Sequence, residues 1–324
     1  MDFELTDDQA SLQEGIRAFV EGRFTPDDVR AIEDAGARVD RARWRELGDT
    51  GVFSLRVPEA DGGLGLGMSE AALVFEELGR ALVPGPLVAT ELAAARRAGA
   101  AAGTEVVGLL DADDERGVLL VEHAADLDVL LVRSAAGVQA IDPSTLDGTD
   151  AARPLDALTP VRAVSGPLPA GESFGGPEVA AAMRRDGLVL TAALQLGIAA
   201  RTVELATDYA KEREQFGRAI GSFQAVKHLI ADMLVRSEVA RAAVYAAACT
   251  SDGRSDDDPD RTAAVAKVVA GEAALANGKA CIQAHGGIGY TWELDVQRYW
   301  KRACVLDTHF GNVDHWADVV AAGI

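Results

Sequence analysis

The sequence contains few aromatic residues and few cysteines. Aromatic side chains make up 5% of its 324 residues, and the three cysteines are Cys249, Cys281 and Cys304. Their spacing does not fit a metal site, and we interpret them as buried thiols in a reducing compartment rather than as disulfide partners. Alanine is abundant, and long segments show the 3.6-residue period of helices. The composition therefore predicts packed helices.

Basic residues are also scarce relative to acidic ones. The chain has 31 Lys and Arg residues against 51 Asp and Glu residues, which gives a net charge of −20. Nucleic acids and anionic membrane surfaces are bound through basic patches, so neither is an expected partner. The first residues are acidic and lack the pattern of a signal peptide, and we find no apolar run of membrane-spanning length. We therefore expect a cytoplasmic protein.

The hydrophobic pattern divides the chain into three predicted domains. Residues 1–103 read as helices, beginning with a capping box at Thr6 and Gln9. Residues 104–178 contain short apolar runs, which predict strands at 106–110, 117–122, 128–133 and 137–141. Residues 179–324 return to helical periodicity. Long segments near 187–211, 223–249 and 261–284 with short connections predict an antiparallel four-helix bundle.

Two stretches place arginine, glutamine and glycine residues beside predicted helix ends. The first runs from Arg213 to Gln224, and Ser222 within it is a candidate N-cap for the next helix. The second is Gln283-Ala-His-Gly-Gly-Ile-Gly-Tyr290. Free backbone N–H groups and the dipole at a helix start favour an anion such as a pyrophosphate. A solvated loop in the first stretch and a glycine C-cap in the second are the structural alternatives.

Together these stretches resemble the flavin-binding motifs of the acyl-CoA dehydrogenase family, R-x-x-F-G-x-x-I-x-x-F-Q followed by Q-x-x-G-G-x-G-[YF]. Every fixed position is present: Arg213, Phe216, Gly217, Ile220, Phe223, Gln224, Gln283, Gly286, Gly287, Gly289 and Tyr290. Residues 57–66 also resemble the N-terminal helical domain of that family. The resemblance predicts a mainly α fold with a small, truncated central β-domain between an N-terminal helical domain and a C-terminal four-helix bundle.

The resemblance also implies a cofactor, a substrate and a reaction. Members of this family bind FAD and oxidise an acyl-CoA thioester to the 2,3-enoyl-CoA, and the reduced flavin passes its electrons to an electron-transfer acceptor. The family motifs contact the diphosphate and adenosine half of FAD, largely on a neighbouring subunit. By resemblance, the cofactor-binding residues are Arg213, Phe216, Gln224, Gln283, Gly286 and Gly287.

The sequence departs from the family where the catalytic base is expected. Phe310 and Gly311 stand where most members have Glu-Gly, and phenylalanine cannot accept a proton. A minority of relatives carry the base at the position of Gly187, which makes the adjacent Asp186 a candidate, with an exposed N-cap aspartate as the alternative interpretation. Other polar groups near the expected site are Asp307, His309, Asn312, Asp314 and His315. His309 could be a base, a polar contact or a packing residue.

The middle domain lacks the family's T-E-P-x-x-G-S-D-like loop, which touches the flavin ring. The missing loop and base, with intact motifs that reach a neighbour's flavin, suggest a subunit that completes the FAD site of a larger catalytic partner in a heterodimer or heterotetramer. The chain resembles the smaller, degenerate subunits of actinobacterial hetero-oligomeric acyl-CoA dehydrogenases, several of which act on steroid side-chain thioesters. The alternatives are a self-sufficient homo-oligomeric dehydrogenase with a relocated base, and a flavin-free helical assembly protein.

Overall fold

The computed structural model describes residues 5–112 and 119–323, which contain eleven α-helices and nine β-strands. The helices are α1 Asp7–Arg23, α2 Pro26–Asp34, α3 Arg41–Asp49, α4 Met68–Arg80, α5 Leu87–Ala94, α6 Ala98–Ala101, α7 Pro177–Glu212, α8 Gln224–Ser251, α9 Pro259–His285, α10 Val296–Thr308 and α11 Val313–Ala322. The strands are β1 Val107–Asp111, β2 Leu119–Glu122, β3 Val129–Ser134, β4 Gly137–Ile141, β5 Gly148–Asp150, β6 Val161–Val164, β7 Glu172–Gly175, β8 Glu214–Gln215 and β9 Arg218–Ala219.

The chain folds into two units. Unit 1 comprises Met1–Pro26, Ala72–Val83 and Leu188–Ile324, and unit 2 comprises Asp27–Ala71 and Pro84–Gly187. Helices α4 and α7 therefore each contribute residues to both units. The predicted capping box is confirmed at the start of α1, where the Thr6 hydroxyl accepts from the Gln9 N–H and the Gln9 side chain accepts from the Thr6 N–H.

Unit 2 contains two small sheets. One has the order β1-β3-β4-β7, in which β1 and β3 are parallel and the other pairs are antiparallel, and the second is the antiparallel sheet β2-β6-β5. Apolar residues such as Val107, Leu130 and Leu131 are buried in the first sheet. The four predicted strands correspond to β1 to β4, although residues 117–118 of the second lie outside the described residues.

In unit 1, four long helices share one core. Ala206 of α7, Met233 of α8, Cys281 of α9 and Val296 of α10 belong to the same buried cluster. The side-chain amide of Asn277 on α9 donates to the Met233 carbonyl at 2.9 Å, which ties α9 to α8 and satisfies a fully buried polar group. This arrangement confirms the predicted C-terminal four-helix bundle.

The expectation that no apolar run reaches membrane-spanning length is wrong for α7. An 18-residue window in this helix has a mean hydropathy of 1.4, and by length and composition alone α7 could cross a membrane. However, 72% of that window is buried within the chain. A helix that is apolar all round is also what the core of a large protein requires, and the burial favours this explanation.

The interpretation of the cysteines as buried thiols holds for one of the three. All are free, but only Cys281 is buried, whereas Cys249 and Cys304 are half-buried. Burial raises the pKa of the Cys281 thiol to about 12. The thiolate is the reactive form of cysteine, so Cys281 is a packing residue at neutral pH.

Candidate functional site

The two glycine-containing motifs meet at one end of the helical bundle in unit 1. Helix α7 ends one residue before Arg213, and α9 ends one residue before Gly286. Near these two ends the Tyr209 ring of α7 stacks on the His285 ring of α9, with the ring centroids 4.1 Å apart. Segments separated by about 60 residues in the sequence are therefore brought to a common surface.

The first motif forms a short hairpin. Strands β8 and β9 pair with Glu214 opposite Ala219, and the two turn residues between them, Phe216 and Gly217, have φ values of +55° and +76°. Positive φ at both positions is the pattern of a type I′ turn, where asparagine-glycine is the usual pair and a phenylalanine is strained. The Phe216 side chain is nevertheless 92% exposed. Its ring makes an edge-to-face contact with the Phe223 ring, with the two centroids 6.0 Å apart.

The start of α8 differs from the sequence prediction. Ser222 is not the N-cap, because the helix begins at Gln224 and the N-cap is Phe223, which has no side-chain oxygen to accept from the first turn. The Ser222 hydroxyl instead donates to the Ala219 carbonyl at 2.7 Å. A short 3₁₀ turn at Ile220–Ser222 precedes the helix and moves its first residue beyond the serine.

The second motif is a glycine turn that closes α9. Gly286 is the C-cap, with φ +67° and ψ −144°, and its N–H bonds to carbonyls of the last helical turn. The predicted glycine C-cap is therefore correct. A Cβ on Gly289 would lie 2.7 Å from the Ile282 carbonyl oxygen, so packing requires glycine there, whereas a Cβ on Gly287 would meet nothing within 4 Å. The fold does not require Gly287, and its backbone is open to close approach from outside.

The polar side chains of both motifs are exposed. The side chains of Arg213, Gln224 and Gln283 make no hydrogen bond or ion pair with any residue in the ranges 5–112 and 119–323. The Arg218 guanidinium, by contrast, lies 4.2 Å from the centroid of the Phe223 ring. A guanidinium, two carboxamides and an open glycine backbone are the kinds of group that bind phosphate oxygens. The residues present therefore fit the anionic diphosphate part of FAD.

At the expected position of the base, the structure places a buried aromatic ring. Phe310 follows the C-terminus of α10, is 7% exposed, and has φ +56°. Its carbonyl accepts a hydrogen bond from the Trp316 indole N–H at 2.8 Å. Asn312 caps α11, and its side-chain oxygen accepts from the His315 N–H at 2.9 Å. This turn is firmly held but carries no proton acceptor at residue 310.

A buried lysine that the sequence analysis did not identify also holds this turn. Lys267 of α9 is fully buried, and its Nζ donates to the Asp307 carbonyl at 3.1 Å and lies 3.8 Å from the Asp307 carboxylate. Burial lowers the pKa of Lys267 to about 8, against the opposing effect of the Asp307 charge. The Asp307 carboxylate also accepts from the Val313 N–H at 3.1 Å. Asp307 is therefore engaged in holding the turn, while Asp314 and His315 lie exposed on α11.

Asp186, the other candidate base, belongs to an ion cluster within unit 2. Its carboxylate accepts from the Arg56 guanidinium at 2.7 Å, and Arg56 also binds both oxygens of the buried Glu91 at 2.7 and 2.9 Å. Burial alone would lower the pKa of the Arg56 guanidinium, but the two carboxylates raise it. Helix α7 begins at Pro177, so Asp186 lies inside the helix, and its side chain is half-buried. The expectation of an exposed N-cap aspartate is therefore wrong. Asp186 instead lines a cavity of about 320 Å³ together with Arg56, Glu91 and Phe174.

The helical bundle carries two exposed motifs whose side chains suit a diphosphate. Family models match both ends of the sequence: "Acyl-CoA dehydrogenase, N-terminal domain" matches residues 6–106 and "Acyl-CoA dehydrogenase, C-terminal domain" matches residues 178–324. The chain belongs to the acyl-CoA dehydrogenase family.

Named relatives extend this assignment. The chain is 35% identical to acyl-CoA dehydrogenase IpdE2 of Mycolicibacterium smegmatis over 92% of its length and 93% of that protein. It is also 35% identical to acyl-CoA dehydrogenase FadE34 of Mycobacterium tuberculosis, where 98% of this chain matches 48% of the relative. The ChsE4-ChsE5 complex from Mycobacterium tuberculosis has a similar fold, with a TM-score of 0.83 at 24% identity, covering 99% of this chain and 98% of the solved one.

Proposed function

We propose that this chain is a subunit of a hetero-oligomeric acyl-CoA dehydrogenase and completes the FAD site of a catalytic partner. The observation that carries the proposal is a contrast between two parts of unit 1. The turn that bears the base in most family members has a buried phenylalanine at residue 310, whereas the motif side chains Arg213, Gln224 and Gln283 are exposed and unpartnered among the described residues. The chain thus offers groups to a cofactor but no base at that turn.

The length of one relative supports a second protein segment that works beside this one. FadE34 matches this chain over 48% of its own length, so that single polypeptide carries a further segment about as long as the matched one. A subunit and its partner can be joined in one chain when they work side by side. The solved ChsE4-ChsE5 pair is named as a complex, and its fold is similar to that of this chain.

In this proposal the residues of the chain bind and orient. The Arg213 guanidinium forms charge-assisted hydrogen bonds with diphosphate oxygens, and the carboxamides of Gln224 and Gln283 donate to neighbouring acceptors. The open backbone at Gly287 allows the diphosphate to approach closely, and Phe216 contacts the same cofactor region. When bound, FAD supplies the hydride acceptor for the α,β-dehydrogenation of an acyl-CoA thioester.

The partner provides the carboxylate that removes the α-proton. Electrons leave through an electron-transfer acceptor. We propose that the pathway is lipid or steroid degradation and that the complex works in the cytoplasm, where free cysteines such as the three found here are stable.

A flavin measurement tests the proposal. The chain purified alone should retain little FAD, read from its visible spectrum, and the chain co-purified with an acyl-CoA dehydrogenase partner should carry bound FAD and be active. A full complement of FAD with turnover by this chain alone would show a self-sufficient enzyme with a relocated base. A colourless, inactive complex would show an assembly protein without flavin chemistry.

A further inference from the structure

Two polar side chains of α7 are fully buried without a protein partner in the described part of the chain. Thr191 and Gln195 are both 0% exposed, and neither the Thr191 hydroxyl nor either polar atom of the Gln195 carboxamide makes a hydrogen bond within residues 5–112 and 119–323. Thr202 on the same helix behaves differently, since its hydroxyl donates to the Ile198 carbonyl at 3.0 Å. The Thr191 hydroxyl is therefore turned away from the backbone of its own helix. Buried polar groups almost always have a partner, so these three atoms require one.

Helix α9 and the end of α10 bring further polar atoms close to the Gln195 carboxamide. A Cβ on Gly271 would lie 3.4 Å from Gln195 Nε2 and 3.7 Å from Asp307 Oδ1, so these two atoms are no more than about 7 Å apart. One turn before Gly271 on α9 is Lys267, whose ammonium lies 3.8 Å from the same Asp307 oxygen. An amide donor, an ammonium and a carboxylate oxygen therefore converge in the interior of unit 1.

The direction of the two long helices places Thr191 beside the same group of atoms. Gln195 of α7 faces Gly271 of α9, and the tyrosine–histidine ring stack near the ends of these helices lies the same number of residues further along both. The helices α7 and α9 therefore run in the same direction. Thr191 and Lys267 each lie one turn earlier than this facing pair, which puts them at the same level of the bundle.

A water molecule suits the distances and the charges in this group. The 3.8 Å between Lys267 Nζ and Asp307 Oδ1 is longer than a direct hydrogen bond, and two bonds through one water join atoms up to about 5.4–6.4 Å apart. Of the three N–H donors on the Lys267 ammonium, one binds the Asp307 carbonyl at 3.1 Å, which leaves donors for another acceptor. Lys267 and Asp307 carry opposite charges, so a neutral ligand fits between them better than an ion.

We propose that a water molecule is bound inside unit 1, in a buried site formed by α7, α9 and the end of α10. This water accepts hydrogen bonds from Gln195 Nε2 and Lys267 Nζ and donates one to Asp307 Oδ1. Its second hydrogen is donated to Thr191 Oγ1, and four bonds are within the range that buried waters make. The water thereby joins α7 and α9 to the turn that contains Phe310. The site lies outside both motifs, so it can be tested without FAD or a partner subunit.

Replacing Gln195 with methionine tests the site in the full-length chain. Methionine has a similar volume and no amide, so the loss of hydrogen bonds to a bound water should lower the urea midpoint of unfolding by roughly 0.3–1 M. If the carboxamide had no partner, the same substitution would remove an unsatisfied buried group and raise the midpoint. Thr191→Val should also lower the midpoint. Leu196→Met is the matched control, because Leu196 is apolar and equally buried on α7.

A high-resolution crystal structure of the full-length chain shows the water directly. The expected result is a density peak about 2.7–3.2 Å from Gln195 Nε2, Lys267 Nζ and Asp307 Oδ1, together with lowered midpoints for both polar variants. A raised or unchanged midpoint for Gln195→Met, relative to the control, would overturn the proposal. A direct hydrogen bond between the Gln195 carboxamide and Asp307 in place of the peak would also overturn it, and this result needs no variant to fold.

Discussion

Replacing Lys267 with methionine tests whether burial lowers the pKa of this lysine and so destabilises the folded chain. Lys267 is fully buried, and within residues 5–112 and 119–323 the polar groups that contact its ammonium belong to Asp307. Burial lowers its pKa to about 8 from an ordinary value of 10.5. A methionine side chain occupies a similar volume without a charge, so the substitution removes the titration with little change in packing.

The pH dependence of the free energy of unfolding follows from the difference between the pKa of Lys267 in the folded and the unfolded chain. Between pH 8 and 10.5 the unfolded chain binds the Lys267 proton and the folded chain releases it, so the free energy of unfolding rises with pH in this window. The full difference of 2.5 pKa units corresponds to about 3 kcal/mol, of which about 1 kcal/mol is gained between pH 7 and pH 9. Cys281 acts in the opposite direction, because a pKa raised to about 12 destabilises the folded chain as pH rises above 9.

The measurement is urea unfolding at several pH values between 7 and 9, followed by tryptophan fluorescence. Between pH 7 and pH 9, the free energy of unfolding of the parent chain should rise by about 1 kcal/mol more than that of Lys267→Met. Both chains contain Cys281, so they differ only in the lysine. Lys279→Met is the matched control, because Lys279 is an exposed lysine on the same helix, and it should behave like the parent. If the free energy of unfolding changed equally with pH in the parent chain and in Lys267→Met, the assignment of a destabilising buried charge would be refuted.

Four further substitutions test the site and its supports. Arg213→Ala should weaken FAD binding by the reconstituted complex about ten- to a hundredfold, since a hydrogen bond to a charged group is worth roughly 1.5–3 kcal/mol; unchanged affinity in a titration would mean that this arginine does not contact the cofactor. Phe310→Glu in the chain alone should give no turnover with a panel of acyl-CoA thioesters, because a base without a positioned hydride acceptor is inactive; turnover would show that the chain holds a complete site. Arg56→Met should lower the free energy of unfolding by about 3–5 kcal/mol, because it leaves Glu91 buried without its partner; an unchanged urea midpoint would contradict this. Gly289→Ala should lower the melting temperature, because its Cβ would lie 2.7 Å from a carbonyl oxygen of α9; an unchanged melting temperature would show that the turn adapts.

Periodicity and motifs predicted the helical bundle well. The segments expected near 187–211, 223–249 and 261–284 correspond to α7, α8 and α9. Apolar residues at helical spacing predict these helices because those residues are buried in a common core. The glycine C-cap at Gly286 was also predicted correctly, since only glycine suits its backbone angles. The N-cap at Ser222 was wrong because a 3₁₀ turn, which leaves little trace in a sequence, precedes the helix.

Contacts between distant segments leave no local pattern in the sequence. Arg56, Glu91 and Asp186 come from three separate parts of the chain, and no local pattern indicates that they form one ion cluster. Lys267 lies within an alanine- and valine-rich helix, where a lysine is normally exposed, so its burial against Asp307 was also missed. Strands β5, β6 and β7 are only three or four residues long and have no fully buried face, which explains why their pattern was not found.

The buried ring of Phe310 makes a substitution by glutamate at this position costly. A non-glycine residue in this conformation costs about 1–3 kcal/mol, and the buried ring offsets that cost, since removing a buried phenylalanine typically costs about 3–5 kcal/mol. A substitution by glutamate would keep the backbone strain, give up the packing of the ring and bury a carboxylate. The free energy of unfolding would therefore fall, so packing as well as desolvation disfavours a carboxylate at residue 310.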